Sequence, residues 1–288
     1  MGPEPNAQYS LGFAYANGLG VPQDYTEAAR WYRMASEQGH AGAQNNLGEM
    51  YRLGEGVPQD YAEAIHWFRM AADQGNAVAQ YVLGLMYAKG QGVPQNDAEA
   101  IRWYRMAADQ GDAEAQFVMG SKFFLGQGVP QDDSEAIRWF HSAADQGHAN
   151  AQTNLGFMYQ QGQGVPKNDA EAVRWYRMAA VQGVASAQYN LGQMYRQGQG
   201  IPQNYAEAIR WYRLAADQGL ADAQTNLGFM YGTGQGVPQN YVEAYKWYAL
   251  SAAQGDTTAV SNRDLVLDQM TPAQIAEGQR LAAAWQPR

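Results

Sequence analysis

The stretch GVPQDYAEAIHWFRMAADQG at residues 56–75 returns as GVPQNDAEAIRWYRMAADQG at residues 92–111, a step of 36 positions. Trp31, Trp67, Trp103, Trp139, Trp175, Trp211 and Trp247 keep that step. So do Pro22, Pro58, Pro94, Pro130, Pro166, Pro202 and Pro238. Gly12, Gly48, Gly84, Gly120, Gly156, Gly192 and Gly228 keep it too, so seven copies fill residues 6–255. A period of about 20–50 residues marks a solenoid or array. One copy alone has no way to cover its apolar stripe, whereas stacked copies share a core.

Each copy divides into two helices. In AQNNLGEMYRLG (43–54), Ala43, Leu47, Met50 and Tyr51 recur at helical spacing. Gly48 sits inside that helix, where glycine costs about 1 kcal/mol. The expected compensation is the close approach of a neighbouring helix. A loop with Gly54, Gly56 and Pro58 follows. Asp60 and Glu63 then have the spacing of a capping box, in which each side chain satisfies the other residue's backbone N–H. Asp24/Glu27, Asn96/Glu99, Asp132/Glu135, Asn168/Glu171, Asn204/Glu207 and Asn240/Glu243 repeat it. The second helix runs through Ala64, Trp67, Phe68, Ala71 and Ala72 and stops at Gly75.

After Gly255 the pattern breaks, with Arg263 and Asp264 where Leu227 and Gly228 would recur. MTPAQIAEGQRLAAAW (270–285) begins a fresh helix with Thr271 as cap, Pro272 in the first turn and Gln274 closing the box. Residues 256–288 are thus expected to be a divergent pair of helices capping the stack. Residues 1–5 read as a boundary scar, with native targeting trimmed away. MGPEPNAQYS has neither the basic nor the apolar region of a signal peptide.

Composition narrows the function. The 288 residues carry a net charge of −9, so the basic footprint of a nucleic-acid binder is lacking. Cysteine is absent, which removes disulfides and thiolate metal sites. No apolar run reaches the roughly 18 residues that suggest membrane insertion. His40, His66, His141 and His148 show no metal-ligand spacing. There is no Ser/His/Asp arrangement, phosphate-cradling loop or HExxH motif. The GQG triplets read as turn chemistry, since no strand precedes them. No cofactor, metal site or catalytic residue is expected. On the second helices, Arg30, His66, Arg102, Arg138, Arg174, Arg210 and Lys246 form one basic row. Arg33, Arg69, Arg105 and Arg213 each have an acid four residues on, namely Glu37, Asp73, Asp109 and Asp217, and Arg177 does not. These suggest i,i+4 ion pairs on a solvated face, with a basic docking stripe as the alternative. The tryptophans, constant in every copy, read as core.

The pattern AQxxLGxMYxxGxGVPQDxxEAxxWYRxAAxQG resembles the Sel-one-like repeat family, relatives of the tetratricopeptide repeats, over residues 6–255. The resemblance implies an all-α, right-handed α-solenoid with first helices on the concave side and second helices on the convex side. It also implies a scaffolding role, in a bacterial periplasmic or secreted setting for many members. A cysteine-rich branch linked to penicillin binding does not extend to a chain without cysteine.

Where the copies differ is informative. Aligned on the first-helix glycine, positions −6, −3, +1, +4 and +5 vary and share one helical face. The candidate groove residues there are Tyr9, Phe13, Arg52, Tyr81, Leu85, Phe117, Phe124, Leu125, Phe157, Gln160, Tyr189, Arg196 and Phe229. Aromatics on a solvent-facing groove mark interaction sites; the alternative is that neighbouring first helices bury these rings between themselves. In copy four, FVMGSKFFLG puts Phe123 in the core tyrosine's place and leaves Phe117, Phe124 and Leu125 for the groove. With Tyr81, Leu85 and Phe157 these are expected to form one apolar patch. The function expected is a non-enzymatic scaffold that holds a peptide or partner helix. A hydrolase or penicillin-binding activity by family analogy finds no nucleophile–base pair, and a plain spacer needs no variable aromatic face. Leu11, with no helix before it to cover it, suggests self-association through the N-terminal end or an upstream segment outside this sequence.

Overall fold

The computed structural model describes residues 4–287, which form helices and loops with no strand among them. No helix among the described residues is long and apolar enough to cross a membrane. The helices fall into two compact units, one ending at Gln146 and one starting at Gly147. The first holds four pairs: α1 (Pro5–Asn17) with α2 (Tyr25–Glu37), α3 (Ala41–Leu53) with α4 (Tyr61–Asp73), α5 (Ala77–Lys89) with α6 (Asp97–Asp109), and α7 (Ala113–Leu125) with α8 (Asp133–Asp145). The second holds α9 (Ala149–Gln161) with α10 (Asp169–Val181), α11 (Ala185–Gln197) with α12 (Tyr205–Asp217), and α13 (Ala221–Thr233) with α14 (Tyr241–Ala253). It ends with α15 (Thr257–Leu267) and α16 (Pro272–Ala283).

Each repeat is closed by its mid-helix glycine. A Cβ on Gly84 would stand 2.6 Å from Cδ1 of Tyr104, and one on Gly120 would stand 2.6 Å from Cδ1 of Phe140. The glycine is therefore the seat of an aromatic ring from the second helix, which offsets its low helix propensity. The loop glycine makes a second close approach. Gly56, at φ +69°, lies against the backbone of Tyr25 at the start of the preceding repeat's second helix, where a side chain would collide.

The second helices are capped by half of the expected box. Asp60 accepts hydrogen bonds from the Ala62 and Glu63 backbone N–H groups, Asp24, Asp132 and Asn240 bond in the same way, and Asn96, Asn168 and Asn204 accept from the N–H of Glu99, Glu171 and Glu207 alone. The reciprocal bond from Glu63 is not formed. The N–H of Asp60 donates instead to the Tyr51 carbonyl, and those of Asn96 and Asn204 donate to Tyr87 and Tyr195. The N-cap donor is thus already used by the end of the first helix, and the glutamates Glu27, Glu99, Glu135, Glu171, Glu207 and Glu243 turn to the cation three residues on. The complete box does form at Thr271 and Gln274.

A ladder of buried glutamines links successive pairs. Gln44 is fully buried. It donates to the Ser36 carbonyl at the end of α2 (3.1 Å) and accepts from Gln74 at the end of α4 (2.7 Å). Gln80 and Gln110 repeat the pattern, as do Gln224 and Gln254. A buried amide left without partners would cost about 1–3 kcal/mol. One donated and one accepted bond at each buried glutamine tie one pair to the next. At the C-terminal end α16 packs Gly278 against the ring of Tyr245, and Val266 and Met270 join that core.

Candidate partner-binding face

The aromatic residues three before each mid-helix glycine are only half free. Tyr9, Tyr81, Phe117 and Tyr189 each lay their rings against a buried ring of the second helix: Tyr32, Tyr104, Phe140 and Tyr212, at 5.8–5.9 Å between centroids. Tyr9 also stacks on His40 at 4.6 Å. Phe124 touches the same Phe140 at 6.5 Å. The expectation that Phe117 and Phe124 are left wholly to the groove is therefore corrected, because one side of each ring completes the core around Phe140. Burial pushes the Tyr81 hydroxyl above its usual pKa, with Glu114 and Asp112 adding to it, and burial also raises Tyr189. Phe13, Leu125 and Phe157 are the more exposed members, at 45%, 58% and 40%. Phe229 is half-buried and packs on the cores around α13 and α14.

In the first unit, α3 and α5 flank a groove of about 410 Å³. Val78, Tyr81 and Leu85 of α5 give it an apolar wall, and Asn45, Glu49 and Arg52 of α3 face them. The Nε of Arg52 donates to Glu49 at 2.8 Å. This bond holds the guanidinium charged more firmly than usual, against the opposing effect of burial. Lys89 also lines it. Three of the expected residues, Arg52, Tyr81 and Leu85, thus meet in one concavity. Their apolar area lies beside a fixed ion pair. Val78, 52% exposed, and Glu49 complete it.

The first-helix face of the second unit is a polar network. Gln193 donates to the Tyr189 hydroxyl at 2.7 Å and accepts from Arg196 at 3.1 Å and from the Tyr212 hydroxyl at 3.2 Å. Gln160 accepts from the Tyr176 hydroxyl at 2.9 Å. Gln160, expected in the groove, and Gln193 therefore hold the tyrosine hydroxyls of the second helices. Their sequence signal was the coincidence of Gln or Arg with a Tyr one repeat element away.

The second-helix face differs from expectation in one respect. Arg33, Arg69 and Arg213 do not pair with the acids four residues on. They donate to the hydroxyls of Tyr51, Tyr87 and Tyr231 in the next first helix, and Arg177 does the same to Tyr195 at 2.9 Å. Arg105 lies over the ring of Phe123, at 5.9 Å, where the hydroxyl is missing. The first basic row is also accounted for. Arg102, Arg138 and Arg210 lie 4.4–5.4 Å over the rings of Trp103, Trp139 and Trp211, each joined to its glutamate. Those tryptophans are buried, as expected of core. His40 and His148 cap α3 and α9 through Nδ1, which accepts from Ala43 and Ala151. His66 sets its edge on Trp67. Among the described residues no three His, Asp or Glu side chains converge as metal ligands.

Helix pairs repeated seven times, joined by ring-on-glycine seats and a glutamine ladder, define the class of helical-repeat scaffolds. The chain belongs to the Sel1 repeat family: the Sel1 repeat model matches residues 5–40, 41–76, 77–112, 113–148, 149–184, 185–220 and 221–256. It is similar to a Sel1 repeat protein from Oxalobacter formigenes, at 38% identity over 89% of this chain and 74% of that one, with a TM-score of 0.71. It is also 31% identical to c5321, described as a protective antigen of uropathogenic Escherichia coli strains displaying an SLR fold, over 96% of this chain and 75% of that one, with a TM-score of 0.45. Among curated proteins none matches significantly.

Proposed function

We propose that this protein is a non-enzymatic scaffold that holds a short peptide or partner helix against its first-helix face. The groove between α3 and α5 is the seat. The supporting observation is the meeting of Val78, Tyr81 and Leu85 with the Glu49–Arg52 pair in one open concavity of about 410 Å³. An apolar wall beside a fixed ion pair suits a segment with one apolar anchor and a flanking polar group, and helix-in-groove binding uses that combination. A buried anchor of this kind contributes about 2 kcal/mol or more. The reading is tested with a partner isolated from the host, titrated by calorimetry against wild type and the double variant Arg52→Ala, Leu85→Ala. The expected result is a loss of roughly tenfold or more, since 1.4 kcal/mol is a factor of ten, with helical circular dichroism retained. Unchanged affinity would refute the placement of the seat.

A further inference from the structure

We infer that the fifth repeat carries a second docking site, on the opposite, second-helix face, for a segment with an aliphatic side chain next to a carboxylate. One face of α10, from Ala170 to Val181, and the loop that follows α11 line a groove of about 590 Å³. Val173, Arg174, Arg177, Met178, Val181 and Ile201 line it. The first repeat has the same groove at the same positions along α2, but smaller, about 340 Å³, and with Glu37 where the fifth has Val181.

That exchange sets the fifth repeat apart from the other repeats that carry the arginine. Glu37, Asp73, Asp109, Asp145 and Asp217 occupy the position in five repeats, and the seventh, with Ala249 in the arginine's place, has Ala253. Of the row Arg33, Arg69, Arg105, Arg177 and Arg213, Arg177 alone lacks an acid four residues on. The other four arginines have an acid one turn on, although Arg33, Arg69 and Arg213 bond a tyrosine hydroxyl, as Arg177 does, and not that acid. Here the repeat supplies an apolar surface instead. Val181 is 70% exposed, the most exposed large hydrophobic side chain among the described residues, and Met178 beside it is 36% exposed. Arg177 spends one donor on the Tyr195 hydroxyl and makes no ion pair among the described residues. A guanidinium has five donors, so it keeps several for a ligand. The missing carboxylate and the added apolar contact define the complement: a partner side chain that covers Val181 and Met178, followed by an acid that reaches Arg177.

The sister repeats provide the control. An aspartate at 181 restores what they carry, so Val181→Asp leaves the fold intact. The full-length protein, uniformly labelled, is titrated by nuclear magnetic resonance with two nine-residue Gly-Ser peptides, one with a central Leu-Asp pair and one with Leu-Lys. The Leu-Asp peptide is expected to shift the amides of residues 174–181 and 201 in saturable fashion. The Leu-Lys peptide and the Val181→Asp protein should show at least tenfold weaker binding. Glu37→Val should create the same response along α2. No saturable shift at 174–181, equal binding of the two peptides, or an unchanged response in Val181→Asp would each overturn the inference. None of these outcomes bears on the groove between α3 and α5, which lies in the other unit.

Discussion

Gly156 is the seat of Tyr176: a methyl group on the glycine would stand 2.5 Å from Cδ1 of the tyrosine ring, which is fully buried. The same relation recurs at Gly12 with Tyr32 and at Gly228 with Tyr248. Helix propensity alone favours alanine by about 1 kcal/mol, but overpacking a tight core costs about 1–3 kcal/mol. Gly156→Ala is therefore expected to lower stability, read as a fall in the urea midpoint. A stabilised variant would show that the ring yields at no cost.

The glutamine ladder predicts an asymmetry. Gln80→Leu removes a buried side chain that donates to Ala72 and accepts from Gln110. The orphaned partners should cost about 1–3 kcal/mol. Gln110→Ala removes an exposed residue and should cost less, because water replaces its contacts. Equal losses in thermal denaturation would contradict the ladder's structural role.

Asp256 ties the closing helices to α13. Burial pushes its carboxyl up, but hydrogen bonds from the Thr225 hydroxyl, the Ala259 N–H, the Ser251 hydroxyl and the Thr258 N–H outweigh it and hold the group below the usual carboxylate range. A carboxyl lowered in the folded state stabilises the fold above its unfolded pKa of about 3.9. That stabilisation is lost as pH falls through the folded value. Wild type should thus lose melting temperature below about pH 4 more steeply than Asp256→Asn. Parallel curves for the two proteins would count against it.

Leu11 is 38% exposed, while its counterparts Leu47, Leu83, Met119, Leu155, Leu191 and Leu227 are fully buried. Phe13 and Leu19 nearby are 45% and 57% exposed. We propose that this face of α1 mediates self-association. Light scattering should show concentration-dependent growth for wild type and a reduced effect for Leu11→Glu. A monomer at all concentrations would contradict it.

The step of Trp31 to Trp67 made the repeat, its helix pairs and its boundaries legible, because a core position must recur when the same interface recurs. The seat at Gly48 was legible for the same reason. The direction of the polar side chains was not. Glu63 and Asp60 have box spacing, but the Asp60 N–H is taken by a carbonyl nine residues upstream, at Tyr51. Arg33 has an acid at i+4, yet its better partner is Tyr51, eighteen residues away. Helical spacing reveals only partners on the same helix. At Phe117 the variable position pointed to the groove, while its ring also serves Phe140. Variation marks a face, and it does not divide a ring between solvent and core.

The central claim is that the first-helix face of the second and third repeats is the partner seat. It is tested most directly by photo-crosslinking in the host. A benzoylphenylalanine is placed at Leu85, in the groove between α3 and α5, or at Met106, on the second-helix face of α6. The account predicts a discrete partner adduct from position 85 that disappears when Arg52→Ala is added, and none from position 106. An adduct from 106 alone, or one from 85 that survives Arg52→Ala undiminished, would contradict it.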